Sequence, residues 1–136
     1  MKIVLDDGAQ MPVRAHTYDG GMDLFANENR VVHAKDWENI DTGVHVQIPE
    51  GCVGFVKSRS GMMSKHGIMT DGTIDCGYTG AIRVSLFNMS NTDYPVQQGD
   101  RIAQLVIVPC VLVPCEQVKK LERTNRGSKG FGSTGR

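Results

Sequence analysis

Five short segments of this chain hold polar residues where a plain β core would not require them. The densest is Asp71-Gly-Thr-Ile-Asp-Cys-Gly-Tyr-Thr-Gly80, with two acids, three glycines and a tyrosine. A carboxylate held near a phosphorus atom orients and deprotonates a water, which makes Asp75 the candidate general base. Tyr78, further along the same segment, can lay its ring against a sugar. Taken alone, the same residues also make an ordinary polar hairpin tip. Lys57-Ser-Arg-Ser-Gly61 precedes a short stretch of helical character, so first-turn amides, the Ser60 hydroxyl and the Arg59 fork converge on one point where an anion fits. The plainer reading has Ser60 as a helix N-cap and Arg59 solvated.

Asp19-Gly-Gly-Met-Asp-Leu-Phe-Ala26 joins a tight glycine pair to Asp23, a hard oxygen ligand for Mg²⁺ or for its bound waters. The alternative is a β-bulge beside a solvated acid. Gly99-Asp-Arg-Ile-Ala-Gln-Leu-Val106 places Gln104 inside an apolar strand, where a buried amide must bond either to backbone or to a ligand. The fifth segment, Arg126-Gly-Ser-Lys-Gly-Phe-Gly-Ser-Thr-Gly-Arg136, carries four glycines, three cations and one aromatic ring without an acid. Open glycine amides and positive charge suit a phosphate, and Phe131 is free to stack on a nucleobase. On composition alone it also reads as a disordered tail. His16, His33, His45 and His66 have no metal-motif spacing, and no serine sits in a GxSxG elbow, so covalent catalysis has no support in the sequence.

The rest of the chain must position these groups. Its 136 residues suit one domain, and 15 basic against 15 acidic residues argue against a protein that grips duplex nucleic acid through many phosphates. No apolar run approaches the roughly 18 residues of a membrane span, and the first residues do not read as a signal peptide, so the expected location is cytoplasmic, or host cytoplasm for a phage-encoded chain. Cys52, Cys76, Cys110 and Cys115 lack CxxC spacing and are expected to be reduced and buried.

The periodicity is that of strands. Val44, Val46 and Ile48 alternate with polar residues up to the turn Pro49-Glu-Gly51, after which Val53 and Phe55 resume, a pattern that predicts a hairpin. Ile82, Val84 and Leu86 alternate after Gly77-Tyr-Thr-Gly80. Residues 101–113 are nearly all apolar, which predicts a strand buried on both faces, with room for a second subunit on one of them, and bent or interrupted by Pro109. Only Ser60–Gly67 looks helical, with Gly67 as its left-handed end. Many short strands with one short helix predict an all-β sandwich or barrel.

Taken in order, the five segments resemble the five motifs of the homotrimeric dUTPase family, from about residue 15 to the C-terminus. The tail matches the pattern RGxxGFGSTG throughout, and Gly72-Thr-Ile-Asp-Cys-Gly-Tyr-Thr-Gly80 matches G-x-I-D-x-x-Y-x-G. The resemblance implies a distorted jelly roll of the β-clip type, a threefold homotrimer with sites shared between subunits, and an Mg²⁺-dependent dUTP diphosphatase. It divides the chain into a β-barrel domain, 1–122, and a closing arm, 123–136. It makes Asp75 the general base and places Tyr78 under the deoxyribose. The backbone from Gly72, Thr73 and Ile74 through Arg83 would read uracil. Arg59, Ser60, Gly61 and Gln104 would contact phosphates, and Asp23 would hold Mg²⁺ through water. Arg126, Phe131, Gly132, Ser133 and Thr134 would close over the nucleotide.

Three positions depart from the family pattern. Ser58 stands where a proline usually precedes Arg-Ser-Gly and would loosen the approach to the phosphate loop. Gly20 replaces an alanine, and Ala81 replaces an acidic or polar residue. A dCTP deaminase of the same fold is the rival enzyme, disfavoured by the tail and the tyrosine segment. A nucleotide-sensing regulator is the rival from another class, against which the intact Asp75 argues.

Overall fold

A computed structural model describes residues 1–130. Its described part is nearly all β. The strands are β1 (Lys2–Leu5), β2 (Gly21–Phe25), β3 (Arg30–Val32), β4 (Trp37–Gln47), β5 (Cys52–Lys57), β6 (Ile68–Met69), β7 (Asp71–Ile74), β8 (Ala81–Asn88), β9 (Tyr94–Val96) and β10 (Arg101–Pro109), with one helix, α1 (Ser60–His66). They form two four-stranded sheets, ordered β1-β4-β8-β6 and β2-β10-β5-β7, and a small pair, β3-β9. All pairings are antiparallel. This is the jelly roll that the resemblance implies.

Alternation decides which residues enter the core. In β8, Ile82, Val84 and Leu86 are fully buried while Arg83 and Phe87 face outward. Ile40 and Val44 from β4, Leu24 from β2, Val56 from β5 and Leu105 from β10 complete the interior between the sheets. Each such side chain contributes roughly 1.5–3 kcal/mol of transfer free energy. In β4 the register slips between Asp41 and His45. Gly43 takes φ +60 there, and a Cβ would lie 2.8 Å from Ala9 Cβ, so only glycine suits the bulge.

Two expected hairpins do not form. Residues 49–51 do turn the chain, with Cys52 N donating to Pro49 O at 3.1 Å. They carry it from β4 in one sheet to β5 in the other rather than between paired neighbours. Likewise β7 pairs with β5 while β8 pairs with β4 and β6, so the segment from Gly72 to Arg83 crosses between sheets. A period of two identifies a strand's inward face, not its neighbour.

The long apolar stretch behaves differently at its two ends. Ile102, Ala103 and Leu105 are buried, β10 stops at Pro109 as its missing N–H requires, and Val111, Leu112 and Val113 are exposed in the single chain. Within the single chain, burial thus ends before Pro109, and the sequence pattern leaves one face of this stretch for a second subunit. The cysteines are free, but Cys115 is exposed and the other three only half-buried: Cys52 opens β5, Cys76 lies in the link from β7 to β8, and Cys110 and Cys115 follow β10.

Candidate functional site

A cavity of about 790 Å³ opens at one edge of the β2-β10-β5-β7 sheet, where the chain leaves β5 and enters α1. Asp23, Arg59, Ser60, Gly61 and Gln104 all line it, so β2, the β5–α1 junction and β10 bring five of the expected residues together. Asp19, Asp100, Arg101, Lys65 and Tyr94 complete much of the wall. Burial pushes the Tyr94 phenol above its ordinary pKa, so it remains a neutral hydroxyl at the cavity wall.

Arg59 organises the cavity. Its Nε donates to Asp23 Oδ1 at 3.1 Å and its Nη1 to the Arg101 carbonyl at 3.2 Å. Arg101 Nη1 approaches Asp23 Oδ2 at 3.3 Å, so both oxygens of the Asp23 carboxylate face a guanidinium. Asp23 is thus neither a solvated acid nor a free one. Arg101 was missed in the sequence, although it lies in a segment singled out for Gln104; its only signal was being an arginine at the start of an apolar strand.

Arg59, not Ser60, is the helix N-cap; its backbone is extended and its carbonyl accepts from Met62 N at 3.0 Å and Met63 N at 3.2 Å. Ser60 and Gly61 occupy the first turn, where amides have no helical acceptor, and a Cβ at Gly61 would meet nothing within 4 Å. Gly67 ends the helix at φ 67, as expected.

Ser58 tightens this junction rather than loosening it. Its Oγ donates to Thr70 O at 2.9 Å and accepts from Thr70 N at 2.7 Å, while its carbonyl accepts from Gln104 Nε2 at 3.1 Å. A proline makes none of the hydroxyl bonds. Gln104 is therefore satisfied by backbone and half-buried, with its amide still on the cavity wall. Gly21 faces Gln104 so closely that a Cβ would collide with Oε1, whereas a Cβ at Gly20 would meet nothing within 4 Å.

The other expected residues lie elsewhere. None of residues 71–80 lines the cavity. Asp75 is exposed in the link from β7 to β8, its carbonyl accepting from Tyr78 N at 3.0 Å in a tight turn. Tyr78 folds back over Gly80, where a Cβ would sit 2.6 Å from its Cζ, and its hydroxyl donates to Ala81 O at 3.0 Å. Gly72, Thr73 and Ile74 pair with Val56, Phe55 and Gly54 of β5. Arg83 lies on the outward side of β8, donating from Nη2 to Asn39 O at 3.0 Å. Arg126 is exposed, its Nε donating to Lys129 O at 3.1 Å. Phe131, Gly132, Ser133 and Thr134 lie outside the described residues.

A jelly roll whose sheet edge presents two arginines, open amides and an acid is a β protein with a cavity suited to an anionic ligand. Comparison with known proteins narrows this. The dUTPase family model matches residues 7–135. A deoxyuridine 5'-triphosphate nucleotidohydrolase of Clostridium tetani is 40% identical, over 98% of this chain and 94% of its own. A probable one of Schizosaccharomyces pombe is 43% identical over 96% and 94%. Among solved structures, a mutant dUTPase of Staphylococcus bacteriophage 80alpha with dUpNHpp superposes with TM-score 0.91 at 34% identity, over 98% of this chain and 97% of that one. A mutant dUTPase of phage phi11 of S. aureus, described for coordination of a structural Mg(II) ion, gives 0.82 at 32%, over 90% and 98%. The chain belongs to the dUTPase family. It is an enzyme that hydrolyses dUTP, and the deaminase alternative is not favoured.

Proposed function

We propose that the cavity receives the triphosphate of dUTP from one subunit while Asp75 and Tyr78 come from a neighbour in a threefold homotrimer. What carries this reading is the separation just described: the phosphate-binding residues share one cavity, and the segment bearing the base and the sugar platform does not reach it. A single chain thus offers two halves of a site at different places. Exposed Val111, Leu112, Val113, Val118 and Leu121 supply apolar surface for the contact between subunits.

In this reading Asp75 takes a proton from a water whose oxygen attacks the α-phosphorus. The bond from that phosphorus to the bridging oxygen breaks, giving dUMP and diphosphate. Arg59, Ser60, Gly61 and Gln104 hold phosphate oxygens. Tyr78 lies under the deoxyribose, where a 2′-hydroxyl would collide. Backbone from Gly72, Thr73 and Ile74 toward Arg83 reads the uracil edge, and hydrogen-bond mismatch in such a buried site can discriminate by about 10⁴. Residues 123–136 act as a closing arm, with Arg126 on the γ-phosphate, Phe131 over uracil, and Gly132, Ser133 and Thr134 following the phosphates.

Mg²⁺ fits as an ion brought with the triphosphate. Among the described residues no cluster of three His, Cys, Asp or Glu side chains could cage a metal, and both Asp23 oxygens already face arginines. That suits contact through water, with phosphates and waters as the direct ligands, and the ion would neutralise phosphate charge. The product chemistry limits uracil in DNA and supplies dUMP for dTMP synthesis, with no call for nucleic-acid or membrane binding; no helix among the described residues is long and apolar enough to cross a membrane.

Subunit complementation tests the shared site. Asp75→Asn and Arg59→Gln homotrimers are each expected to be nearly inactive, with Asp75→Asn still binding dUTP. Trimers reassembled randomly from equal parts of both are expected to recover about a quarter of the wild-type sites, since a neighbour pair must supply one intact half each. Zero recovery by demonstrably mixed trimers would place both residues in one chain's site and overturn the proposal.

A further inference from the structure

Among the described residues, the His45 side chain is hydrogen-bonded to the 75–80 stretch that bears Asp75 and Tyr78. His45 follows the β4 bulge and pairs in register with Ala81, where that segment enters β8. Its Nδ1 lies 2.9 Å from the Thr79 carbonyl, and its Nε2 lies 3.2 Å from both Asp6 carboxylate oxygens. A carbonyl and a carboxylate are acceptors only. A neutral imidazole donates from one nitrogen, so satisfying both contacts requires the imidazolium.

The anchor beyond His45 is itself fixed. Asp6 follows β1, its N–H donates to Gly43 O at 2.9 Å, and its carbonyl accepts from Ala9 N at 3.1 Å. The chain of contacts therefore runs from an edge strand, through a charged ring, to the carbonyl next to Tyr78.

We propose that the His45 imidazolium is a positioning residue for dUTP, clamping Thr79 to Asp6 and so setting the Asp75–Gly80 segment that offers Tyr78 to the deoxyribose. This rests on the placement of Asp75 and Tyr78 proposed above. Asp6 faces the ring from the β1 side, where Lys2 lines the same surface pocket, Asp41 acts on it from β4 itself, and Arg83 of β8 lies 3.9 Å from Asp41; Thr79 brings no charge. The Thr79 carbonyl, then Asp6, raise the His45 pKa above 6.5. The clamp is complete below that raised pKa and loses one of its two bonds as pH rises through it.

The test is steady-state dUTP hydrolysis by the full chain across pH, for wild type, His45→Ala, His45→Arg and Tyr78→Ala, with backbone amide exchange at Thr79–Ala81 as a second readout. For wild type, KM should rise as His45 deprotonates. His45→Ala should show KM raised about 5- to 10-fold at low pH, the loss of a charge-assisted contact, with that rise in KM absent and amide exchange at Thr79–Ala81 faster. His45→Arg, permanently charged with several donors, should restore a low KM that no longer follows this ionisation. The effect should fall on KM more than on kcat. If His45→Ala keeps the wild-type KM and pH profile while Tyr78→Ala raises KM, the clamp is wrong and the site stands. If neither changes KM, the placement of Tyr78 fails and the clamp proposal fails with it.

Discussion

The Asp23 carboxylate and the Arg59 guanidinium meet at 3.1 Å, tying β2 to the residue that caps α1. With Arg101 on the other carboxylate oxygen, the three side chains hold one another before any phosphate arrives. Arg59 commits two of its N–H groups to protein, and a guanidinium has five, so a directed face remains for substrate.

Lysine at position 59 keeps the charge but cannot keep both contacts and still point at a phosphate. Arg59→Lys is expected to lower kcat/KM for dUTP about 10- to 100-fold, mainly through KM, with little change in melting temperature. Wild-type kinetics in this variant would remove Arg59 from the phosphate site.

The two adjacent glycines of β2 and its approach should respond oppositely to the same methyl. Gly21→Ala drives a Cβ into Gln104 and breaks the amide's bond to Ser58 O, a collision expected to cost about 1–3 kcal/mol and to weaken substrate binding. Gly20→Ala meets open space and should stay within about 0.5 kcal/mol of wild type. Denaturant unfolding of both variants measures the contrast.

His33 and Asp93, neither of which lines the cavity, form a second pH-dependent contact at 3.0 Å. Asp93 raises the His33 pKa above 6.5, while the Ala34 amide, then His33, lower the Asp93 pKa below 3.8. The histidine's contribution is complete below about pH 6.5 and is lost as pH climbs through its raised value; the aspartate's is complete above about 3.8 and is lost as pH falls through its lowered value. The contact is strongest between these limits. Melting curves of His33→Gln should show the largest deficit against wild type near pH 5 to 6 and a smaller one above pH 8; a deficit independent of pH would disprove the linkage.

Removal of residues 126–136 leaves every described strand and the buried core intact, because residues 126–130 are exposed. The truncated chain is expected to keep its melting temperature within a few degrees and to lose about 100-fold or more in kcat/KM. Normal turnover by the truncated enzyme would end the closing-arm assignment.

Much of this was legible in the residues themselves. Alternation located the core faces of β4 and β8, a left-handed glycine located the end of α1, and Pro109 marked the end of β10, because each is a local consequence of period, cap or missing donor. The five segments identified the family through residue types in order. Local patterns are silent on which strand lies beside which, so the links at 49–51 and 75–80 read as hairpins when they cross between sheets. They are equally silent on contacts made across the chain. Ser58 gains its partners in Thr70 and Gln104, and Arg101 reaches Asp23, only when β2, β10, β5 and β7 pack side by side. The sequence by itself determined the chemistry available and the faces that must be buried. The tertiary structure decided that Asp23, Arg59 and Gln104 share a cavity while Asp75 stands apart from it, because side-chain proximity depends on long-range strand order, which hydrophobic periodicity does not encode.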